Sequence, residues 1–322
     1  MPQYCFGMKL QIFVIISLFA QIGAAKVEKP NMIVIMCDDL GYADVGFNGC
    51  KDIPTPHIDS IARNGVRCTN GYVAYSVCGP SRAGFMTARY PQRFGFERNP
   101  QYQPQDPDMG LTREENTIAE LLRPAGYHSG IIGKWHLGAH IPTSHPMKRG
   151  FDEFYGHLGG GHVYFPEKLT IRRSQDAKGE SESYRTWLMK NFEPVPPRKY
   201  LTDDFSDEAV SFVERNRDWP FFLFLSYNAP HTPLEATEKY LNRFSDIQNP
   251  KRKTYAAMVS AVDDGVGRVL KEVRRHGLEE KTILCFLSDN GGPTSKNASR
   301  NNPLRGDKGD AWEGGFRVPF AV

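Results

Sequence analysis

The sequence predicts an α/β fold with a large, mainly parallel or mixed sheet flanked by helices. Apolar segments alternate with segments of helical periodicity along the 322 residues, which is typical of parallel strands connected by helices. Four apolar segments are almost continuous in hydrophobic residues, as expected of strands that are covered on both faces. The content of 40% hydrophobic and 24% charged residues indicates a folded globular chain and excludes disordered, collagen-like and disulfide-scaffold proteins.

Two helices and four strands can be placed from residue spacing. The longer helix is predicted over residues 254–275, where apolar side chains recur on one 3.6-residue face and Gly277 follows as a stop signal. A shorter helix is predicted over residues 116–123, with a capping box of Thr112 and Glu115 at its start. The strands are predicted at residues 32–37, 129–132, 221–226 and 282–287.

The first 25 residues have the pattern of an export signal. Lys9 precedes the apolar run 10–20, and small residues occupy positions 23–25. The run is short for a bilayer span of ~20 residues, so we expect a cleaved signal peptide and no stable membrane insertion; an uncleaved anchor is the alternative. This predicts an exported protein in a periplasmic, extracellular or lysosome-type compartment.

Two other segments bear on the fold. Residues 167–199 are polar and end in a proline-rich stretch, so we expect an excursion over the surface on the substrate side. Residues 316–322 resemble an apolar strand with no turn after it, and we therefore expect the fold to continue beyond Val322.

The charge balance argues against nucleic acid as a partner. Lysine and arginine total 40 against 37 acidic residues, which gives a net charge of +3, and no basic run stands out.

The cysteines differ in their surroundings. Cys37 and Cys285 lie inside predicted strands, where a thiol is usually a small buried hydrophobe. Cys50 and Cys68 lie in loop-like sequence and could pair in an exported protein, but their spacing leaves this open.

Polar side chains follow each of the four predicted strands. Ligands of open α/β sheets bind at the carboxyl ends of the strands, so we expect these side chains to converge on one site. They are Asp38 and Asp39 after the first strand, Lys134 and His136 after the second, His231 after the third, and Asp289 and Asn290 after the fourth.

The acidic members of this set predict a divalent cation. An Asp-Asp pair alone is as often a turn or a helix cap, but Asp289 and Asn290 bring the set to three carboxylates and one amide oxygen. Such hard oxygen ligands suit Ca²⁺ or Mg²⁺ and do not suit zinc. Like charges this close repel one another unless a cation neutralises them.

The basic members predict a pocket for a compact anion such as sulfate or phosphate. A single lysine or histidine is usually solvated or structural, so the prediction depends on the whole set together with the metal. These residues come from four separate segments and are Arg82, Lys134, His136, His231 and Lys308.

The segment that begins at Cys78 resembles the first signature of the type I sulfatases. Cys-Gly-Pro-Ser-Arg at 78–82 matches C-x-P-S-R, and the downstream T-G-R is matched except that Ala88 replaces glycine, a substitution that costs stability if the position needs a positive φ. The other signatures follow in the expected order from residue 31 to residue 322. They are Gly126-Tyr127 with Gly133 to His136, the metal-binding segments 38–41 and 288–292, and Lys308 with Glu313-Gly314-Gly315.

The resemblance implies a fold and a domain division. The fold is the alkaline-phosphatase-like N-terminal domain of sulfatases. Residues 1–25 are expected to be a signal peptide, and residues 26–322 a catalytic domain that is incomplete at its C-terminal end, with the smaller C-terminal subdomain missing.

The resemblance also implies a role for each matched residue. Cys78 would be oxidised to Cα-formylglycine by a separate maturation enzyme, and the hydrated aldehyde would attack sulfur and later expel sulfate. Arg82 would steady the hydrate and the metal carboxylates. The other roles are a site for one divalent cation, Ca²⁺ ahead of Mg²⁺ (Asp38, Asp39, Cys78, Asp289, Asn290), substrate binding (Lys134, His231, Lys308), protonation of the leaving alcohol (His231, Lys308) and removal of the hydrate proton (His136).

The substrate implied by the resemblance is a sulfate ester, either a small molecule or a sulfated carbohydrate. Two alternatives stay open: a phosphatase or phosphonate hydrolase on the same scaffold, and an inactive fragment that only binds sulfated glycans. His162 follows three glycines and is expected to be a surface-loop residue.

Overall fold

One mixed sheet of eight strands organises the part of the chain that the structure describes, residues 29–100, 110–139, 142–168 and 186–322. The structure is a computed structural model. The predicted signal peptide lies outside the described residues. In chain order the strands are β1 (Asn31–Cys37), β2 (His128–Lys134), β3 (Glu153–His157), β4 (Met189–Lys190), β5 (Glu193–Pro194), β6 (Phe221–Ser226), β7 (Thr282–Ser288) and β8 (Phe320–Ala321).

The order across the sheet is β5-β4-β3-β2-β6-β1-β7-β8. The five central strands, β3-β2-β6-β1-β7, are parallel to one another. The strands β4, β5 and β8 run antiparallel to their neighbours. The predicted α/β class with a mainly parallel or mixed sheet is therefore confirmed, and all four predicted strands are present. Residues 316–322 contribute the short strand β8, as their composition indicated.

Helices cover both faces of the sheet. The helix predicted over 254–275 begins four residues earlier, because Asn249 caps it by accepting a hydrogen bond from the Arg252 amide and Pro250 occupies its first position. The helices are α1 (Pro56–Asn64), α2 (Cys78–Thr87), α3 (Ile118–Leu122), α4 (Leu201–Asn216), α5 (Glu238–Leu241), α6 (Pro250–Arg275), α7 (Thr294–Asn297) and α8 (Glu313–Phe316).

The capping-box prediction was wrong in its position. The box at the start of α3 is formed by Thr117, whose hydroxyl accepts from the Glu120 amide (3.2 Å), and by Glu120, whose carboxylate accepts from the Thr117 amide (2.8 Å). Thr112 lies in a turn before the helix, and Glu115 pairs with Arg89 instead. The same spacing occurs twice within residues 112–120, and only the second copy directly precedes the helix.

Two hydrophobic cores lie on opposite faces of the sheet, because successive side chains of a strand point to opposite sides. One core joins Ile33 and Leu223 of the strands to α1, α4 and α6. The other joins Phe224 to α2 and α3, and Phe85 of α2 stacks on Phe224 with ring centroids 5.3 Å apart. Both faces of β1, β2 and β6 are thus largely buried, as their continuous hydrophobicity indicated.

The segment predicted as a surface excursion is partly built into the sheet. Residues 169–185 lie outside the described residues, but Leu188 and Met189 are buried, and β4 pairs with β3 at the edge of the sheet. Among the described residues, no helix is both long and apolar enough to cross a bilayer.

The described cysteines are all free thiols. Cys50 and Cys68 therefore do not pair, and the Cys50 thiol instead donates to the Asp52 carboxylate (3.3 Å). Cys37 is buried as predicted, whereas Cys285 is only half-buried because the first half of β7 is partly exposed.

Ala88 ends α2 in the left-handed conformation, with φ of 53° and ψ of 30°. An L-residue pays about 1–2 kcal/mol for that conformation, and glycine does not. The side chain of Ala88 is exposed, so its methyl group adds no packing in return.

We expect Ala88→Gly to raise the free energy of unfolding by about 0.5–1 kcal/mol, because the relief of strain exceeds the added entropy of the unfolded chain. Denaturant unfolding measures the change. The matched control is Ala62→Gly inside α1, which should lower stability by about 1 kcal/mol. A similar loss in both variants would contradict the strain at Ala88.

Candidate active site

The polar segments that follow β1, β2, β6 and β7 meet at one edge of the sheet. These strands are consecutive neighbours in the order β2-β6-β1-β7, and parallel strands bring their carboxyl ends to the same edge. The backbone ties the segments together: the Asp38 amide donates to Ala229 O (3.1 Å), and the Asp289 amide donates to Cys37 O (2.9 Å). Residues predicted to converge from four separate segments are therefore neighbours.

Helix α2 adds two residues to this edge. Cys78 is its first residue and Arg82 lies one turn later, so both side chains occupy the same helix face. Cys78 Sγ lies 3.3 Å from Asp38 Oδ1 and 3.1 Å from Lys308 Nζ. Burial first, and then the charge of Asp38, raise the pKa of the Cys78 thiol far above its usual range, so the unmodified side chain is a neutral thiol.

Each of the three carboxylates at this edge pairs with a cation from a distant segment. All six side chains are buried or largely buried, and a charge buried without a partner would cost several kcal/mol. The pairs are Asp38 with Lys134 (Oδ2 to Nζ, 2.5 Å), Asp39 with Lys308 (Oδ1 to Nζ, 2.7 Å) and Asp289 with Arg82 (Oδ2 to Nε, 2.9 Å).

The carboxylates of Asp289 and Asp39 differ in pKa because their surroundings differ. Burial, followed by the charge of Asp38, raises the pKa of Asp289 to about 6. Burial also acts to raise the pKa of Asp39, but Lys308 and His231 outweigh it and hold that pKa at about 2. An additional positive charge near Asp289 would therefore favour its ionised form.

Both predicted histidines lie at the same edge. His231 Nε2 is 3.7 Å from Asp39 Oδ2, and burial, partly offset by the charge of Asp39, lowers the pKa of His231 to about 4. His136 is fully buried, and burial followed by the charge of Lys134 lowers its pKa well below the usual range. Both rings are neutral at pH 7 in this arrangement.

Backbone conformation at the site is unusual at two non-glycine positions. Asp39 has φ of 66° and His136 has φ of 61°, and residues held in this region cluster at functional sites. Gly133 has φ of 112°, and a β-carbon there would lie 1.8 Å from Ser226 O. Only glycine fits at that position, which explains why the Gly133–His136 segment begins with glycine.

Three residues that support the site were not predicted from the sequence. Ser226 Oγ accepts from Arg82 Nη1 (2.6 Å) and donates to Lys134 O (2.7 Å), so one hydroxyl links two basic segments. Asn297 Nδ2 donates to Asp39 O (3.1 Å) and thereby holds the strained Asp39 peptide. Ser226 could have been noticed as a polar residue at the end of an apolar strand, whereas Asn297 has no sequence signal. The third, Tyr164, is described below.

The expectation that His162 is a surface residue was wrong. Its exposed fraction is 2%, and its ring nitrogens lie 2.9 Å from Val163 O and Thr186 O. The Thr186 hydroxyl in turn accepts from the Leu158 amide (2.9 Å). Contacts with a residue 24 positions away, which spacing does not reveal, make His162 part of the interior.

Comparison with known proteins decides the family. The family model described as Sulfatase matches residues 30–322. The chain belongs to the sulfatase family. The resemblance seen in the signatures is thereby confirmed, as is the alkaline-phosphatase-like fold.

This sulfatase is similar to known proteins in sequence and in fold, and it covers only part of their length. N-acetylgalactosamine-6-sulfatase of Mus musculus is 33% identical, over 96% of this chain and 60% of its own. The structure of Ps i-CgsB in complex with k-i-k-neocarrahexaose is 47% identical, with a TM-score of 0.85, over 91% of this chain and 65% of that one. PsFucS1 sulfatase from Pseudoalteromonas sp. is 29% identical, with a TM-score of 0.75, over 100% of this chain and 66% of that one. The chain thus spans about three fifths of the curated relative.

The cluster of three carboxylates and the Cys78 thiol fits a divalent cation. Carboxylate oxygens of Asp38, Asp39 and Asp289 and the sulfur of Cys78 lie within 4.8 Å of one another. Asn290 Nδ2 donates to Asp39 Oδ1 (2.8 Å), while the buried Asn290 Oδ1 accepts no hydrogen bond within the described residues. An unpaired buried carbonyl costs about 1–3 kcal/mol, which coordination to a cation would offset.

We expect Asp289→Ala to lose bound divalent metal and activity together, because it removes one carboxylate of the set. Elemental analysis of the purified protein measures the metal content. Asp204→Ala is the matched control: Asp204, in α4, is equally buried but bonds Tyr155 of β3 and Arg198 instead of the three site carboxylates. Full metal content with lost activity in Asp289→Ala would show that Asp289 is not a ligand.

Proposed function

We propose that this sulfatase hydrolyses a sulfate monoester on a carbohydrate, with residue 78 as the nucleophile. The observation that supports this most strongly is the position of Cys78, which starts α2 between the carboxylate of Asp38 and the ammonium of Lys308. An electrophilic sulfur that enters this site would meet residue 78 with the Lys308 ammonium beside it.

We propose that Cys78 is converted to Cα-formylglycine by a maturation enzyme. The cluster offers a reason in addition to the signature: its other members are oxygen donors that suit Ca²⁺ or Mg²⁺, and the thiol is the exception. Conversion of Cys78 to the hydrated aldehyde would place an oxygen where the sulfur now lies. The unmodified thiol is moreover neutral and fully buried, which is unfavourable for a nucleophile.

We assign the cation as Ca²⁺, held by Asp38, Asp39, Asp289, Asn290 and residue 78. When bound, it would act as a Lewis acid that polarises sulfate oxygens and favours a deprotonated nucleophile. Charge supports anion binding as well. The three carboxylates and the three paired cations already balance, so a divalent cation leaves the site positive and attracts a sulfate ester.

We assign a separate chemical role to each basic side chain of the site. Lys134 and Lys308 would neutralise the sulfuryl group, while Arg82 keeps its contacts with Asp289 and Ser226. As one deprotonated hydroxyl of the hydrate attacks sulfur, the bond from sulfur to the alcohol oxygen breaks, and that oxygen takes one proton, either from the protonated His231 ring or from the Lys308 ammonium. His136 would later accept the proton of the second hydroxyl while the C–O bond breaks, sulfate leaves and the aldehyde is restored.

We propose a sulfated oligosaccharide or polysaccharide as the substrate. The support is the 47% identity with Ps i-CgsB, whose structure contains k-i-k-neocarrahexaose, together with the similarity to N-acetylgalactosamine-6-sulfatase. The predicted export signal supports an extracellular, periplasmic or lysosome-type location for such an enzyme, where it would meet glycans of this kind.

We expect the protein, co-produced with a formylglycine-generating enzyme, to hydrolyse p-nitrophenyl sulfate faster than p-nitrophenyl phosphate. Cys78→Ala should lower the sulfatase rate at least about 10³-fold, because it removes the nucleophile. Cys285→Ala, at a half-buried thiol away from the site, is the control and should retain activity.

Two outcomes would contradict the proposal. Faster hydrolysis of the phosphate ester would assign the chain as a phosphatase or phosphonate hydrolase on this scaffold. Binding of a sulfated glycan without hydrolysis of either ester would show that the chain only binds such glycans.

A further inference from the structure

Tyr164 lies against the turn that carries His231. It is fully buried, and its hydroxyl oxygen lies 2.8 Å from Asn228 O and 2.7 Å from His231 O. The His231 amide also donates to Asn228 O (2.9 Å), which closes a four-residue turn. A hydroxyl has one hydrogen, so it donates to one carbonyl at a time, and both ends of the turn lie within its reach.

The orientation of the imidazole depends on this turn. His231 Nδ1 lies 2.6 Å from Thr232 O, and a carbonyl oxygen only accepts, so Nδ1 carries the hydrogen. Nε2 is then the nitrogen that faces Asp39 Oδ2 at 3.7 Å. Because the ring is held by the backbone carbonyl of the next residue, a shift of the backbone over 228–232 would move Nε2 with it.

Tyr164 is itself held by contacts outside the turn. Its amide donates to Glu235 Oε2 (2.8 Å), and its ring stacks on Tyr200 with centroids 5.9 Å apart. Tyr200 belongs to the same core, and its hydroxyl donates to Glu235 O (2.8 Å). The hydroxyl of Tyr164 is therefore a fixed point to which the His231 turn is attached.

We propose that Tyr164 is a positioning residue that keeps His231 Nε2 directed at the oxygen of the leaving alcohol. The inference rests on the proposed role of His231 as proton donor. In the proposed step the protonated ring gives its Nε2 proton to the alcohol oxygen as the S–O bond breaks, which leaves a neutral imidazole with its hydrogen on Nδ1. A displacement of about 1 Å at such a position costs up to ~10²-fold in rate.

Tyr164→Phe tests this, because it removes one oxygen atom and keeps the ring. Protonation matters most for poor leaving groups, so we expect kcat for phenyl sulfate to fall about tenfold and kcat for p-nitrophenyl sulfate to fall less than about twofold. Bound metal should be unchanged. Tyr200→Phe is the matched control: it removes an equivalent buried hydroxyl-to-carbonyl bond from the neighbouring ring and should show no leaving-group dependence.

A double-mutant cycle separates the two proposals. In a His231→Ala background, Tyr164→Phe should have no further effect on kcat if it acts through His231. Additive losses, or equal losses for both esters in Tyr164→Phe and Tyr200→Phe, would overturn the positioning role. If His231→Ala shows no leaving-group dependence while coupling to Tyr164 persists, the positioning role stands and the proton-donor role of His231 is wrong.

Discussion

The three carboxylate–cation pairs at the carboxyl edge of the sheet are the interaction on which the rest of the structure depends. Each pair joins segments far apart in sequence, as Asp39 joins Lys308, and each is largely or fully removed from water. Removing one partner of a buried pair typically costs about 3–5 kcal/mol, so strand order and the placement of α2 are constrained together. The same pairs hold residue 78 among the carboxylates, which links the stability of the fold to the assembly of the site.

This constraint explains what sequence alone could predict. The central strands were predictable because burial on both faces makes them continuously hydrophobic, and the site residues were predictable because they directly follow those strands. The parallel order of the strands then brings Asp38, His231 and Asp289 together without further information. The signature around Cys78 added the chemistry that spacing could not supply.

Other features depended on tertiary contacts that leave no local pattern. Thr112 and Thr117 both offer a capping-box spacing, and the choice between them is made where α3 packs on the sheet. His162 follows a run of glycines typical of a loop, yet Thr186 O holds its ring in the interior. The hydroxyl groups of Tyr164 and Ser226 donate hydrogen bonds to backbone carbonyls. Nothing in the sequence distinguishes these two residues from other tyrosines and serines that could do the same.

We propose that residue 78 is an aldehyde in the working enzyme. Mass spectrometry of the peptide that carries residue 78, from protein co-produced with a formylglycine-generating enzyme, tests this most directly. We expect the mass of formylglycine or its hydrate, in a fraction that follows the specific sulfatase activity of each preparation. An unmodified cysteine at position 78 in a fully active preparation would contradict it.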